Sequence, residues 1–140
     1  QFLQMVAATE SPQVESRGGR LVLETSDDVK VLLDASQMHQ ALANLIRNAA
    51  EAEPGGEVML SCERRGDGSV RVSVADQGPG IAADMLPLLF VPFKTDKQGG
   101  SGLGLTIVKS LVELQDGDLS FETEIGKGTV FHIDLKVAHG

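Results

Sequence analysis

The segment "SVRVSVAD", residues 69–76, most constrains the fold. Val70, Val72 and Val74 alternate with Arg71 and Ser73, so the three valines share one face of a predicted strand. The run "EVMLSCERR" precedes it, and the linking "GDG" is typical of a hairpin turn. A sheet with one apolar face must bury that face against another layer.

Helical patterns surround this hairpin. Residues 35–52 predict a helix in which Asp34 caps the first turn. Its apolar stripe consists of Met38, Leu42, Leu45, Ile46 and Ala49. Further helices are predicted at 83–90 and 103–115, the second closed by the glycine of "DGD"; further strands are predicted at 20–25, 29–34, 119–124 and 129–137. The sequence therefore predicts an α/β (α+β) two-layer sandwich, with about three helices on one face of a mixed, mainly antiparallel sheet.

The first 19 residues are predicted to lie outside this sandwich. Residues 1–8 have apolar positions at helical spacing and predict the tail of a preceding helix. Residues 9–19 contain Pro12, Gly18 and Gly19 and predict a linker. We therefore expect a tail and linker over 1–19, a catalytic or binding domain over 20–140, and a longer parent protein, because the chain begins with Gln.

Charge and composition exclude several classes of function. The net charge of −8 opposes binding to nucleic acid or to an anionic membrane surface. No apolar run approaches the roughly 20 residues of a membrane-spanning helix. The single cysteine, Cys62, cannot form an internal disulfide, which favours a reducing, cytoplasmic setting, although the full-length protein could still be membrane-anchored.

Two segments offer polar groups suited to a ligand. Asn44 and Asn48 lie at i and i+4 and leave their helix on one face, and an amide oxygen is a suitable Mg²⁺ ligand. "DQGPG", residues 76–80, puts Asp76 at a strand end, where its carboxylate can accept a bond from an exocyclic amine. Solvated amides and a plain tight turn are the alternative interpretations.

Two further segments carry glycines. In "FVPFKTDKQGGSGLGL", Lys94 and Lys97 are cations in an acidic chain, and Gly102 and Gly104 precede a helix whose N-terminus favours an anion. A flexible linker is the alternative, but a linker needs neither these lysines nor an immediate hydrophobic helix. In "GKGT", Thr129 can hydrogen-bond a ligand, or the segment is only a hairpin turn.

Together these motifs resemble the catalytic and ATP-binding domain of histidine kinases. An Asn…Asn helix, DxGxG, a Phe-Pro-Phe loop, GxGLGL and GxGT follow in that order over roughly residues 21–137. This domain belongs to the gyrase, Hsp90, histidine kinase and MutL (GHKL) superfamily. The compact loop looks most like that of nitrogen-regulation-type sensor kinases. The resemblance implies a Bergerat-type fold that binds ATP and Mg²⁺ between the helices and a lid.

The resemblance also implies residue roles. Asn48 is the expected Mg²⁺ ligand and, with Asn44 and Lys97, part of the catalytic set. Asp76 is expected to bind the adenine amino group, Phe90 and Phe93 to tether the lid, and Thr129 to lie near the adenine. The remaining expected nucleotide-binding residues are Gly78, Gly80, Ile81, Phe93, Lys94, Lys97, Gly100, Gly102, Leu103, Gly104 and Leu105.

None of His39, His132 and His139 has the context of the family's phosphoacceptor, which lies on a separate helical domain and is followed closely by an acidic residue. The resemblance therefore implies transfer to a histidine on a separate dimerisation domain, a homodimeric parent protein and a downstream response regulator.

Three alternatives stay open: an ATP-hydrolysing GHKL enzyme, a degenerate module that binds nucleotide or docks a partner, and a protein-serine kinase that acts on an anti-sigma-factor antagonist. Hydrolysing members carry a glutamate in this helix, where this chain has Asn44, a poor base; Glu51 lies two turns further on.

Overall fold

The alternating segment lies in the centre of a mixed sheet. The structure is a computed structural model and describes residues 2–25, 35–53, 55–65, 69–90 and 104–136. In chain order the elements are α1 (Phe2–Ser16), β1 (Arg20–Thr25), α2 (Ala35–Ala52), β2 (Glu57–Arg64), β3 (Ser69–Ala75), a 3₁₀ helix (Ala83–Leu88), α3 (Gly104–Leu114), β4 (Asp118–Glu124) and β5 (Gly128–Lys136). Within these ranges the strand order is β1-β2-β3-β5-β4.

Strand directions match the mixed, mainly antiparallel prediction. β1 is parallel to β2, and the other three neighbouring pairs are antiparallel. The pairing of β2 with β3 confirms the predicted hairpin, with Val72 opposite Cys62. Val72 also pairs with Ile133 of β5, so an apolar row crosses three strands on one face.

The helices bury that face. α2 packs against β2 and β3, and α3 packs against α2 and β4. The valines of β3 are at most 5% exposed, and the predicted stripe of α2 is at most 4% exposed. The two-layer sandwich is therefore confirmed, and the apolar alternation of β3 selects which face the helices cover.

The opposite face of the sheet is polar. Arg71 donates two hydrogen bonds to Asp134, from Nε at 2.9 Å and from an Nη at 3.1 Å. The hydrogen bond to Asp134 raises the pKa of the Arg71 guanidinium, and desolvation opposes this change. His132 bonds Ser73 through Nδ1 at 2.7 Å and Glu122 through Nε2 at 2.8 Å. These side chains satisfy one another across the strands, which is consistent with a solvent-facing surface.

The predicted linker over residues 9–19 is wrong in its secondary structure, because α1 continues to Ser16 and includes Pro12. A proline inside a helix costs about 3 kcal/mol. Val6 and Val14 on one face of α1 are 0% and 1% exposed, and burial of such a side chain is worth about 1.5–3 kcal/mol. The packing of α1 against β1 and α2 therefore offsets the free-energy cost of Pro12 in the helix. The domain boundary at residue 19 stays a prediction.

The glycines after α1 form a helix cap. Gly18 has φ +81°, its N–H donates to the Glu15 carbonyl at 2.9 Å, and the Gly19 N–H donates to the Val14 carbonyl at 3.1 Å. These two bonds define a Schellman motif, in which the residue after the helix adopts a left-handed conformation. The two glycines that predicted a flexible linker therefore form a defined turn.

α3 ends in the same way, but with a different residue from the predicted one. Asp116 has φ +56° and donates to the Glu113 carbonyl at 3.1 Å, while Gly117 donates to the Val112 carbonyl at 3.0 Å. The glycine of "DGD" is needed for space instead, because an added Cβ would lie 2.9 Å from Leu135 Cδ2.

Other predictions are confirmed or fall beyond the described residues. The bounds of α2 agree with prediction, and those of β2, β3, α3, β4 and β5 agree to within one residue. The Asp34 cap, the predicted strand at 29–34 and the "GDG" turn lie outside the described residues. Among the helices that the structure describes, none combines the length and the apolar character that crossing a bilayer requires.

Candidate functional site

Asp76 follows β3 and is fixed by β5. Its backbone N–H donates to the Thr129 carbonyl at 2.9 Å. Its Oδ1 accepts the backbone N–H of Gly78 at 2.9 Å and that of Thr129 at 3.3 Å. The Thr129 residue is only 7% exposed. The structure therefore brings together Asp76 and Thr129, which the sequence placed 53 positions apart.

Gly78 joins this turn to α2. Gly78 is buried, and an added Cβ would lie 3.1 Å from Asp76 Oδ1 and 3.3 Å from both Cβ and the carbonyl oxygen of Ala52. The absence of a side chain therefore lets the turn rest on the last residue of α2. Because Ala52, Asn48 and Asn44 are spaced by four, their side chains share one face of the helix.

The two asparagines lie along that face. Asn44 is 9% exposed and Asn48 is half-buried. Four helical residues rise about 6 Å. Asn48 therefore lies about one turn before Ala52, the residue next to Gly78. In the described ranges no three His, Cys, Asp or Glu side chains cluster as metal ligands. The role of Asn48 as a Mg²⁺ ligand stays a prediction.

The β4–β5 turn packs against the turn after Asp76. Gly80 has φ +82°, and an added Cβ would lie 2.5 Å from the Glu124 carbonyl oxygen. Gly128 has φ +126°, and its Cβ would overlap the Asp76 carbonyl oxygen. The predicted shaping role of Gly80 thus has a steric basis, and Gly128 has an equivalent one that sequence reasoning missed.

Thr123 of β4 is a second residue that sequence reasoning missed. Its Oγ1 accepts the Ile81 N–H at 2.9 Å and lies 2.8 Å from the Thr129 Oγ1. The sequence contains a signal for it, because Leu119, Phe121 and Thr123 alternate along β4 on its inward face. A hydroxyl at an inward position needs polar partners.

Apolar side chains line the other side of the site. Ile81, Phe90 and Leu105 are half-buried and pack against the core. The Phe90 ring lies 6.3 Å from the Phe121 ring, centroid to centroid. The Thr106 hydroxyl donates to the Phe90 carbonyl at 3.2 Å, which ties the segment before the predicted lid to the start of α3. The tethering role of Phe90 stays a prediction.

Most of the predicted phosphate loop lies outside the described residues. Gly104 is the first residue of α3, and Leu105 follows it. The residues beyond the described ranges are Phe93, Lys94, Lys97, Gly100, Gly102 and Leu103. Their roles stay predictions, and His139 also lies outside the described residues.

A family model and curated relatives match this chain. The family described as "Histidine kinase-, DNA gyrase B-, and HSP90-like ATPase" matches residues 33–139. The autoinducer 2 sensor kinase/phosphatase LuxQ of Vibrio parahaemolyticus is 40% identical over 139 residues, covering 90% of this chain and 16% of LuxQ. Sporulation kinase E of Bacillus subtilis is 36% identical over 120 residues, covering 84% and 16%. The chain thus spans about a sixth of the length of these relatives.

A solved structure shares the fold over nearly the whole chain. Full-length ShkA in complex with AMPPNP matches with a TM-score of 0.87 and 32% identity, covering 99% of this chain and 30% of ShkA. The AMPPNP belongs to that protein's structure, and the match places the same two-layer architecture in a nucleotide-binding protein.

Proposed function

Because this chain belongs to the histidine kinase-, DNA gyrase B- and HSP90-like ATPase family, we propose that it is the ATP-binding catalytic domain of a sensor histidine kinase. It transfers the γ-phosphoryl group of ATP to a histidine on a separate dimerisation domain. One observation carries the proposal: Asp76, anchored beside Thr129, sits on a turn that rests through Gly78 on the Asn-bearing face of α2.

At the base end, the residues fit an adenine. The Asp76 carboxylate accepts hydrogen bonds, and adenine offers an exocyclic amine donor. Two backbone N–H groups fix Oδ1, so the carboxylate is oriented before a ligand arrives. Gly78 leaves no side chain to crowd a flat ring, and half-buried Ile81 offers an apolar surface.

At the phosphate end, α2 supplies Asn48 one turn before the residue that touches Gly78. Its amide oxygen would hold Mg²⁺, and this ion would neutralise phosphate charge in the transfer step. Asn44 lies on the same face and orients the phosphate end. Lys94 and Lys97, which lie beyond the described residues, would supply positive charge, and the backbone N–H groups of Gly100, Gly102, Leu103 and Gly104 would bind the phosphates.

The described histidines favour an acceptor on another domain. His132 lies in β5 and bonds Ser73 and Glu122 on the open face of the sheet. His39 lies in α2 and bonds Glu10 of α1 at 3.2 Å. Both rings are held in structural contacts. We propose that the full protein is a homodimer, that a response regulator receives the phosphoryl group, and that this domain works in the cytoplasm without contacting membrane or nucleic acid.

Transfer rather than hydrolysis is supported by the residues at the expected base positions. Asn44 occupies the position where hydrolysing relatives carry a glutamate, and an amide cannot act as a general base. Glu51 lies 3.5 Å from Arg17, at the end of α1. This ion pair directs the Glu51 carboxylate toward α1.

Calorimetric titration with ADP and ATP, each with and without Mg²⁺, tests the proposal. We expect the chain to bind adenine nucleotides, and Asp76→Asn to weaken ADP about 10- to 100-fold, since a hydrogen bond to a charged group is worth about 1.5–3 kcal/mol. Inorganic triphosphate should lose little affinity in that variant. Asp118→Asn, an exposed substitution in β4, is the matched control. Equal losses for ADP and triphosphate would remove Asp76 from base recognition.

A further inference from the structure

The Thr123 hydroxyl joins three parts of the site. It accepts the Ile81 N–H at 2.9 Å, lies 2.8 Å from the Thr129 Oγ1 and lies 3.4 Å from the Gly128 carbonyl oxygen. Thr123 is half-buried on β4, and Thr129 is the residue that Asp76 holds through its backbone. Thr123 is thus separated by one side chain, that of Thr129, from the proposed position of the adenine ring.

The partners of the Thr123 hydroxyl favour one direction for the hydrogen bond between the two threonines. A hydroxyl has one proton and two lone pairs, whereas a backbone N–H can only donate. The Ile81 N–H therefore takes one lone pair of Thr123. The single proton of Thr123 has two possible acceptors, at 2.8 Å and at 3.4 Å. The first is an ordinary O–H···O distance and the second is long, which favours donation from Thr123 to Thr129.

This direction decides what Thr129 presents. Since the proton between the two hydroxyl oxygens comes from Thr123, the proton of Thr129 points elsewhere. Among the described residues, Thr123 is the one hydrogen-bond partner of the Thr129 hydroxyl. Thr129 therefore offers a donor next to Asp76, which offers an acceptor.

An acceptor beside a donor matches one purine. Adenine presents an amine donor and, next to it, a ring-nitrogen acceptor; guanine presents a carbonyl acceptor and a ring N–H donor. We propose that Thr123 is a specificity-determining positioning residue, which holds the Thr129 hydroxyl as a donor toward the N1 atom of adenine. This inference rests on the proposed function and adds a residue to it that acts through Thr129.

The test compares ADP with 1-deaza-ADP, which lacks the ring-nitrogen acceptor. In the unaltered chain we expect ADP to bind about 10-fold more tightly, the value of one hydrogen bond of about 1.4 kcal/mol. In Thr123→Val the ratio of the ADP affinity to the 1-deaza-ADP affinity should fall at least about threefold, because the Thr129 hydroxyl is no longer held in one orientation. Thr123→Ser keeps the hydroxyl and should restore the ratio. Thr9→Val, an exposed substitution on α1, is the matched control.

A double-mutant cycle separates positioning from general stability. Thr129→Val should bring the ratio close to one, and adding Thr123→Val to it should cause no further change in the ratio. An affinity ratio near one in the unaltered chain, or an affinity ratio that is unchanged in Thr123→Val, would overturn the inference. The proposed function would still be supported in either case, provided that the chain binds ADP. Failure of the unaltered chain to bind ADP would overturn both. If Thr123→Val does not fold, Thr123→Ala, which also removes the hydroxyl, supplies the decisive ratio.

Discussion

The substitution Gly78→Ala tests the contact between the Asp76 turn and α2. The new methyl group would lie 3.1 Å from Asp76 Oδ1 and 3.3 Å from Cβ and the carbonyl oxygen of Ala52. Two of these three atoms belong to a helix with a buried face, so they cannot retreat easily. The carboxylate is the more mobile neighbour, and we expect it to move.

The magnitude follows from two opposing effects. Inserting a methyl group into a packed site costs about 1–3 kcal/mol. Gly78 does not have a positive φ, so replacing glycine by alanine recovers about 0.4–1 kcal/mol from the unfolded chain. The net loss lies between about 0 and 2.6 kcal/mol, or up to roughly 10 °C in the unfolding midpoint for a chain of this size. Displacing Asp76 should also weaken the binding of ADP about 10-fold.

Thermal unfolding and calorimetric titration with ADP measure the two effects separately. Gly55→Ala is the matched control, because Gly55 has φ +86° and, among the described residues, its added Cβ meets only the Gly18 carbonyl oxygen at 3.9 Å. It should cost about 1–2 kcal/mol through its backbone conformation alone and leave ADP affinity unchanged. If both variants bind ADP as the unaltered chain does, the turn does not position Asp76 and our reasoning is wrong.

Four other substitutions probe three separate parts of the chain. His39→Leu should cost about 1–3 kcal/mol in urea unfolding, because it removes a partner of the 6%-exposed Glu10; an unchanged midpoint would contradict this. Asp116→Gly should stabilise α3 by up to about 1 kcal/mol, whereas Gly117→Ala should destabilise it, since Leu135 leaves no room; thermal midpoints moving the other way would refute the cap assignment. Asn48→Ala should lower Mg-ATP-dependent phosphorylation of an added dimerisation domain about 100-fold, measured with labelled ATP; unchanged transfer would exclude Asn48 from the mechanism.

Sequence periodicity was sufficient for the elements whose apolar pattern is strong. α2 and β3 have apolar positions at intervals that match one burial direction, and both were located to within one residue. The Asp76 turn could be located because it directly follows β3. Its proximity to Thr129 depended on the pairing of β3 with β5, which the family resemblance supplied and periodicity did not.

Tertiary packing determined what local patterns could not. Pro12 and the glycines at 18 and 19 are typical of a linker, yet burial of Val6 and Val14 stabilises a continuous helix. At the end of α3, the left-handed residue is Asp116 and not Gly117, and Gly117 leaves room for Leu135. Thr123 was missed because its role arises from partners 42 and 6 positions away.

The central claim is that Asn48, Asp76 and Thr129 surround one adenine nucleotide. Two-dimensional amide NMR of the labelled chain, titrated with ADP and Mg²⁺, tests it most directly. We predict that the largest shift changes among the described residues fall at Asn48, at Gly78 and Ile81 in the turn, and at Thr129. Changes confined to the open face of the sheet around Arg71 and His132, or no changes at saturating ADP, would contradict the claim.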